Sequence, residues 1–82
     1  MVTVHAAVRY LQRVRKAPCP MIKYPKELDE VCHKLGYIST DELYAEIASN
    51  KTLEAAWRLG CPKVKIDGHR YMFEDYWLTT II

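Results

Sequence analysis

The stretch Thr52–Trp77, TLEAAWRLGCPKVKIDGHRYMFEDYW, decides the fold. Asp67-Gly68 sits between two alternating runs. A two-residue type I′ turn needs positive φ at both central residues, so this dipeptide is the strongest short-range hairpin signal. The turn fixes the register: Ile66 opposite His69, Lys65 opposite Arg70, Val64 opposite Tyr71 and Lys63 opposite Met72. Residues directly opposite share a face, and successive residues alternate. One face collects Val64, Ile66 and Tyr71, with Phe73 one step further on. The other collects Lys63, Lys65 and Arg70, with Met72 its single apolar member. Like charges directly opposite one another cost stability, and a purely structural hairpin would gain from an acid there. A basic strand face is therefore expected to meet a polyanion, although a solvated, partnerless face is the plainer reading.

Upstream of the hairpin, Leu53 to Leu59 reads as a short helix, capped by Asn50 or Thr52 and ended at Gly60-Cys61-Pro62. Ser39-Thr40-Asp41-Glu42 has the form of a capping box, in which Ser39 and Glu42 satisfy each other's free amides. It opens a helix running to about Ala48 with Leu43, Tyr44 and Ile47 inward, and Ser49-Asn50-Lys51 forms the turn. Two short helices joined by a short polar turn form a helix-turn-helix unit. Followed at once by a basic hairpin, the arrangement is that of a winged helix-turn-helix. The expected fold is thus α+β, mainly α, with a two-stranded hairpin as the wing and extra N-terminal helices.

Those helices come from residues 1–36. Val4, Ala7, Val8, Leu11 and Val14 recur at helical spacing, so residues 3–16 read as one amphipathic helix presenting Arg9, Arg13 and Lys16 on its other face. Pro18-Cys19-Pro20 ends it, because proline disfavours α conformation in the residue before it. A second helix starts near Pro25, with Leu28, Val31, Cys32 and Leu35 as its stripe and Gly36 as its C-terminal cap. At 82 residues the chain supports one modest core. Residues 1–82 are read as a single domain, with 1–36 as helical decoration on a winged helix-turn-helix core of 37–82.

Half of the residues are hydrophobic and only three are glycine, which argues against disorder. The net charge of +2 says little, but its distribution is polarised. Residues 1–26 hold six bases and no acid, residues 27–46 hold six acids against Lys34, and residues 47–73 hold five bases against Glu54 and Asp67. Such blocks suit a protein that touches a polyanion on one side and protein on another. Three cysteines, an odd number, do not form a disulfide framework and point to a reducing cytosol. No apolar run is long enough to cross a membrane. Cys32, His33, Cys61 and His69 lack the paired spacing of a zinc site, so no metal and no cofactor is expected.

The residues Thr52-Leu53-Glu54, Trp57, Gly60, Pro62, Val64-Lys65, Asp67-Gly68, Arg70-Tyr71 and Phe73 together resemble the excisionase family of phage winged-helix proteins, the group of lambda-type recombination directionality factors. The likeness covers residues 38–78, and its helix, Gly-Pro and wing spacing is shared with MerR-like regulators and small terminase subunits. It implies a cytoplasmic, non-enzymatic protein whose partner is double-stranded DNA, with the second helix in the major groove and the wing at the minor groove. It also implies cooperative binding to repeated sites and an integrase, or a second copy of the chain, as protein partner. Two features depart from the pattern: the second helix is short and exposes Glu54, and the basic helix of residues 3–16 lies outside the minimal family unit.

The residues expected to touch DNA are Lys51, Thr52 and Arg58 on the second helix, Lys63, Lys65, His69 and Arg70 on the wing, and Arg9 and Arg13 on the first helix. Lysine and threonine near a helix N-terminus can bond phosphate. Arg58 is placed either there or snorkelling over the core. Trp57, Tyr71 and Phe73 are read as core, and Tyr76 and Trp77 as its closure. His69 is read as exposed, either in contact or idle. No catalytic constellation is present: Ser39 and Ser49 are helix caps, Glu74 and Asp75 lie side by side at an expected helix start, and there is no phosphate loop. Neither an enzyme nor a small-molecule substrate is expected. The competing expectation is a small viral or bacterial antagonist that uses the same helical scaffold to occupy a host protein.

Overall fold

The computed structural model describes residues 1–82. Four helices, α1 (Val4–Arg9), α2 (Pro25–Lys34), α3 (Thr40–Ala48) and α4 (Lys51–Arg58), precede three strands, β1 (Lys63–Ile66), β2 (His69–Glu74) and β3 (Trp77–Ile81). The strands form one antiparallel sheet in the order β1-β2-β3. The protein is thus α+β, and the sheet has one strand more than the sequence suggested. No helix is long and apolar enough to cross a membrane.

The first helix departs from the regular stripe. Thr3 caps it, its hydroxyl accepting from the Ala6 amide at 3.1 Å. After Arg9 it widens into a π-helical segment, Tyr10–Val14, in which the Arg15 amide reaches the Tyr10 carbonyl at 3.0 Å. Such widened turns are short and frequently sit where a side chain must be re-aimed. Here Tyr10 is delivered to the Glu46 carboxylate on α3, at 2.9 Å. Periodicity alone predicts one unbroken helix over residues 3–16, because the stripe it counts survives the widening.

Pro25 opens α2, where its missing amide costs nothing. The helix ends as a Schellman motif: the Tyr37 amide bonds the Cys32 carbonyl at 2.9 Å and the Gly36 amide bonds the His33 carbonyl at 3.2 Å. At the start of α3 the expected capping box is not closed. Ser39 makes no side-chain cap bond. Glu42 accepts instead from the Ile38 amide at 3.3 Å, and Asp29 of α2 accepts from the Thr40 amide at 3.3 Å. The helix begins where the sequence placed it, but a neighbouring helix supplies the cap. Asn50 caps α4, accepting from the Leu53 amide at 3.0 Å.

The β1–β2 hairpin has the register read from sequence, Lys63↔Met72 through Ile66↔His69, around Asp67 and Gly68 at φ 49° and 82°. A second hairpin follows it. Asp75 and Tyr76 take φ 50° and 63°, and β3 returns along β2 with Phe73 opposite Leu78 and Glu74 opposite Trp77. Glu74-Asp75 therefore belongs to a strand end and a turn, and does not start a helix. The far side of β3 is met by residues near the start of the chain: Val2 bridges Leu78 in parallel, with Thr3 N–H to Leu78 O at 3.0 Å and Leu78 N–H to Met1 O at 2.8 Å.

The core joins both halves of the sequence. Ala6, Ala7, Val8, Leu11, Ile22, Leu28 and Cys32 share one cluster with Tyr37, Leu43, Ile47, Leu53, Tyr71, Leu78 and Ile81. Residues 1–36 are therefore not decoration on a core of 37–82. The first helix packs directly on β3 and α2, and residues 1–36 together supply half of that cluster. Leu78 and Ile81 close the core, and Tyr76 and Trp77 do not: they are 62% and 40% exposed. Trp57 and Phe73 are half-buried and lie against each other with ring centroids 5.4 Å apart, at the rim of the core.

Candidate nucleic-acid interface

The sheet builds the basic face directly from its register. Lys65 lies opposite Arg70, Lys63 lies two pairs further along on the same face, and all three side chains are exposed. None of them has an ion-pair partner, since the three ion pairs of the molecule involve Arg15, His33 and Arg58. Three cations thus lie close on a strand face, two of them directly opposite, with no acidic side chain paired to them, although the terminal carboxylate of Ile82 accepts from the Arg70 amide at 2.9 Å. His69 is not part of this face. Pairing with Ile66 turns it to the inner side, where it is half-buried and lines a cavity of about 220 Å³ with Tyr10, Tyr71 and Asp67.

Helix α4 leads into β1 and packs against it. Leu53 and Ala56 face the core, which leaves Lys51, Glu54, Ala55, Arg58 and Leu59 along an open, shallow surface, with Thr52 also exposed. Arg58 does not snorkel over the core. Its side chain is 78% exposed and pairs with Glu54 at 2.7 Å, one turn back. Exposed pairs of this spacing contribute only about 0.3–0.5 kcal/mol, so Arg58 is readily given up to a stronger anion. The helix ends in a second Schellman motif, with Cys61 N–H to Ala56 O at 3.0 Å and Gly60 N–H to Trp57 O at 3.2 Å. Gly60 suits this position by its backbone, and the nearest neighbour of an added Cβ is the end of an exposed side chain. Its φ is 69°, and a Cβ would stand 2.9 Å from the Tyr76 hydroxyl.

Arg9 and Arg13 stand apart from these two surfaces. Both lie on the first helix, whose main neighbours are β3 and α2. Arg9 is half-buried and donates to Gln12 Oε1 at 3.1 Å, while Gln12 donates in turn to the Cys19 carbonyl at 2.8 Å. Arg13 is exposed. The structure therefore brings Lys63, Lys65 and Arg70 together, sets Lys51, Thr52 and Arg58 on the adjoining helix, and places His69, Arg9 and Arg13 elsewhere. No three His, Cys, Asp or Glu side chains converge as metal ligands would.

One polar constellation was not legible in the sequence. Glu46 of α3 accepts from the Tyr10 and Tyr37 hydroxyls at 2.9 Å each and pairs with Arg15 at 3.3 Å, while Arg15 also donates to the Tyr37 hydroxyl. Burial alone would raise the Glu46 carboxyl, but the bonds from Tyr10, Tyr37 and Arg15 outweigh it and hold the group below the usual range. Burial, and then the bond to Glu46, push Tyr37 up to about 12 and raise Tyr10 further. The four groups clamp the widened first helix to α3. Tyr10 and Glu46 are 36 residues apart, and no spacing rule connects them.

No protein-family model matches this chain, nor does any curated protein or solved structure.

Proposed function

We propose that the protein binds double-stranded DNA in the manner of a winged helix-turn-helix, with α3 and α4 as the helical pair and the β1–β2 hairpin as the wing. The observation that carries this reading is the unpaired cationic face of Lys63, Lys65 and Arg70, in which Lys65 and Arg70 are directly opposed without an acid. A phosphate backbone offers these side chains the ion-pair partners they do not find within the chain. Helix α4 supports the reading, because Lys51, Thr52 and Arg58 are exposed on the element that feeds the hairpin. In this reading α4 enters the major groove and its Glu54–Arg58 pair opens on contact. The likeness to excisionases gives the reading its biological form: a directionality factor of phage or mobile-element type, or a small transcriptional regulator, working in the cytoplasm. It would act cooperatively on repeated sites, beside an integrase or another copy of itself.

The test is duplex binding as a function of salt. Lys65→Ala with Arg70→Ala should weaken binding and lower the salt slope by about two, one for each phosphate that the removed cations would have neutralised. An unchanged affinity in the double variant removes the wing from the interface. Duplexes flanking the protein's own gene are the first sequences to try. The second reading, an antagonist that occupies another protein, is favoured by the exposed acids Glu27 and Glu30 on α2 and Asp41 and Glu42 on α3. It predicts no salt-dependent duplex binding at all.

A further inference from the structure

Tyr44 and Ala48, one turn apart on α3, line a wholly apolar groove of about 360 Å³ with Trp57, Trp77, Met1 and Val2. Trp57 gives its indole N–H to the Tyr76 carbonyl, so it offers the groove its ring and not its polar edge. Trp77 and Met1 are 40% and 70% exposed, and Tyr76 beside them is 62% exposed. Apolar surface of this kind, gathered in one place on a small protein, marks a site of interaction. The side-chain charges beside it are acidic, set against the Met1 ammonium, which donates to the Tyr76 carbonyl at 3.4 Å. Asp41 lies one turn before Tyr44, Glu74 is the cross-strand neighbour of Trp77, and Asp75 forms the turn between them. None of these three acids has an ion-pair partner.

We infer that this groove is the docking site for an amphipathic, basic helix of a partner protein, with large apolar side chains seated between the two tryptophans and lysine or arginine at the acidic rim. Helix-in-groove recognition anchors residues at helical spacing in an apolar channel, and its flanking charges select the partner. A second copy docked groove to groove would bring Asp41, Glu74 and Asp75 against their own equivalents, because a two-fold interface repeats the same patch on both sides. The inference goes beyond the DNA reading and is independent of it: the groove does not include Lys63, Lys65 or Arg70.

The probe is a synthetic helical peptide with leucine at positions i, i+3, i+4 and i+7 and lysine elsewhere, titrated into the full chain. Its counterpart carries glutamate in place of lysine. The leucine–lysine peptide should shift tryptophan emission to shorter wavelength and move the backbone resonances of Tyr44, Ala48, Trp57 and Trp77. It should bind about tenfold or more tightly than the glutamate peptide. Ala48→Arg, at an exposed position ending α3, should weaken that binding at least about tenfold while leaving the melting temperature as it was. Equal binding of the two peptides, or resonance shifts confined to other surfaces, overturns the inference. So does a dimer in sedimentation that Ala48→Arg dissolves, because the occupant would then be a second copy. Loss of duplex binding in the wing variant with the peptide still bound would bear on the DNA reading alone.

Discussion

The two hairpins share strand β2 and have the same two-residue loop with both central residues in the left-handed region, yet they are held in different ways. The first is spelled locally: Asp67-Gly68 accepts that backbone cheaply, and alternation sets the register. The second also begins on an aspartate, Asp75 at φ 50°, but it asks Tyr76 rather than a glycine to take φ 63°, which costs about 1–2 kcal/mol for an ordinary side chain. Burial compensates. Leu78 and Ile81 of β3 are fully buried, whereas β1 contributes only the half-buried Val64 and Ile66. A turn with the right letters can stand on a lightly buried strand, while a turn with the wrong letters needs a core behind it.

Core truncation should break this comparison most sharply. Leu78→Ala is expected to cost about 3–4 kcal/mol, a large part of the stability of a domain this size, and Val64→Ala about 1 kcal/mol. Urea unfolding monitored by circular dichroism measures both, and equal losses would refute the division of labour. Phe73, on the shared strand, should fall between them. It is half-buried against Trp57, so Phe73→Ala should cost about 2–3 kcal/mol and leave a folded protein.

The clamp at Glu46 should come next. Glu46→Gln keeps the shape but removes the charge that three donors share, and about 1–2 kcal/mol is expected after allowance for its partial exposure. The folded carboxyl is held below its ordinary value, so its contribution is complete above the usual carboxylate range and fades as pH falls through the depressed folded value. Melting temperature of the native protein should therefore decline in acid more steeply than that of Glu46→Gln, and parallel curves would count against the clamp.

Smaller effects belong to the turns themselves. Gly68→Ala meets no neighbour but must hold φ near 82°, so a loss of about 1 kcal/mol, or roughly 4–8 °C in melting temperature, is expected. At the second turn the sign reverses. Asp75→Asn places a residue that tolerates the left-handed region better, and a gain of about 0.3 kcal/mol should appear as a small rise in melting temperature. A loss there would mean that the Asp75 side chain contributes something the backbone geometry does not show.

The same contrast explains what could be read from the sequence. The first hairpin, the start of α3, the Asn50 cap and the Gly60 terminus depend on residues within a few positions of one another, and periodicity or turn chemistry finds them. The second hairpin carries no Gly or Asn at its turn, so TLEAAWRLGCPKVKIDGHRYMFEDYW ends in what looks like an aromatic tail. The π-helical widening leaves the apolar stripe intact and is invisible to it. The weight of residues 1–36 in the core is invisible for another reason: Ala6, Ala7 and Val8 have their partners in the last strand, and small apolar residues do not announce whom they touch. At the candidate interface, the cations on β1 and β2 were legible because alternation assigns strand faces. The inward turn of His69 was implied by its pairing with Ile66. The Glu54–Arg58 pair needed only helical spacing, and the Tyr10–Tyr37–Glu46–Arg15 cluster needed the fold.

The pairing of Val2 with Leu78, and of the Thr3 hydroxyl with the Thr79 carbonyl at 3.2 Å, has a kinetic consequence. Residues 2–11 are made well before β3, so the segment that fills the core stays with its apolar side uncovered until β3 is available. Pairings this distant in sequence carry a large loop-closure entropy and slow folding. Consolidation should therefore be late and nearly all-or-none, completed only when the last strand is free to slide between β2 and the waiting N-terminal segment.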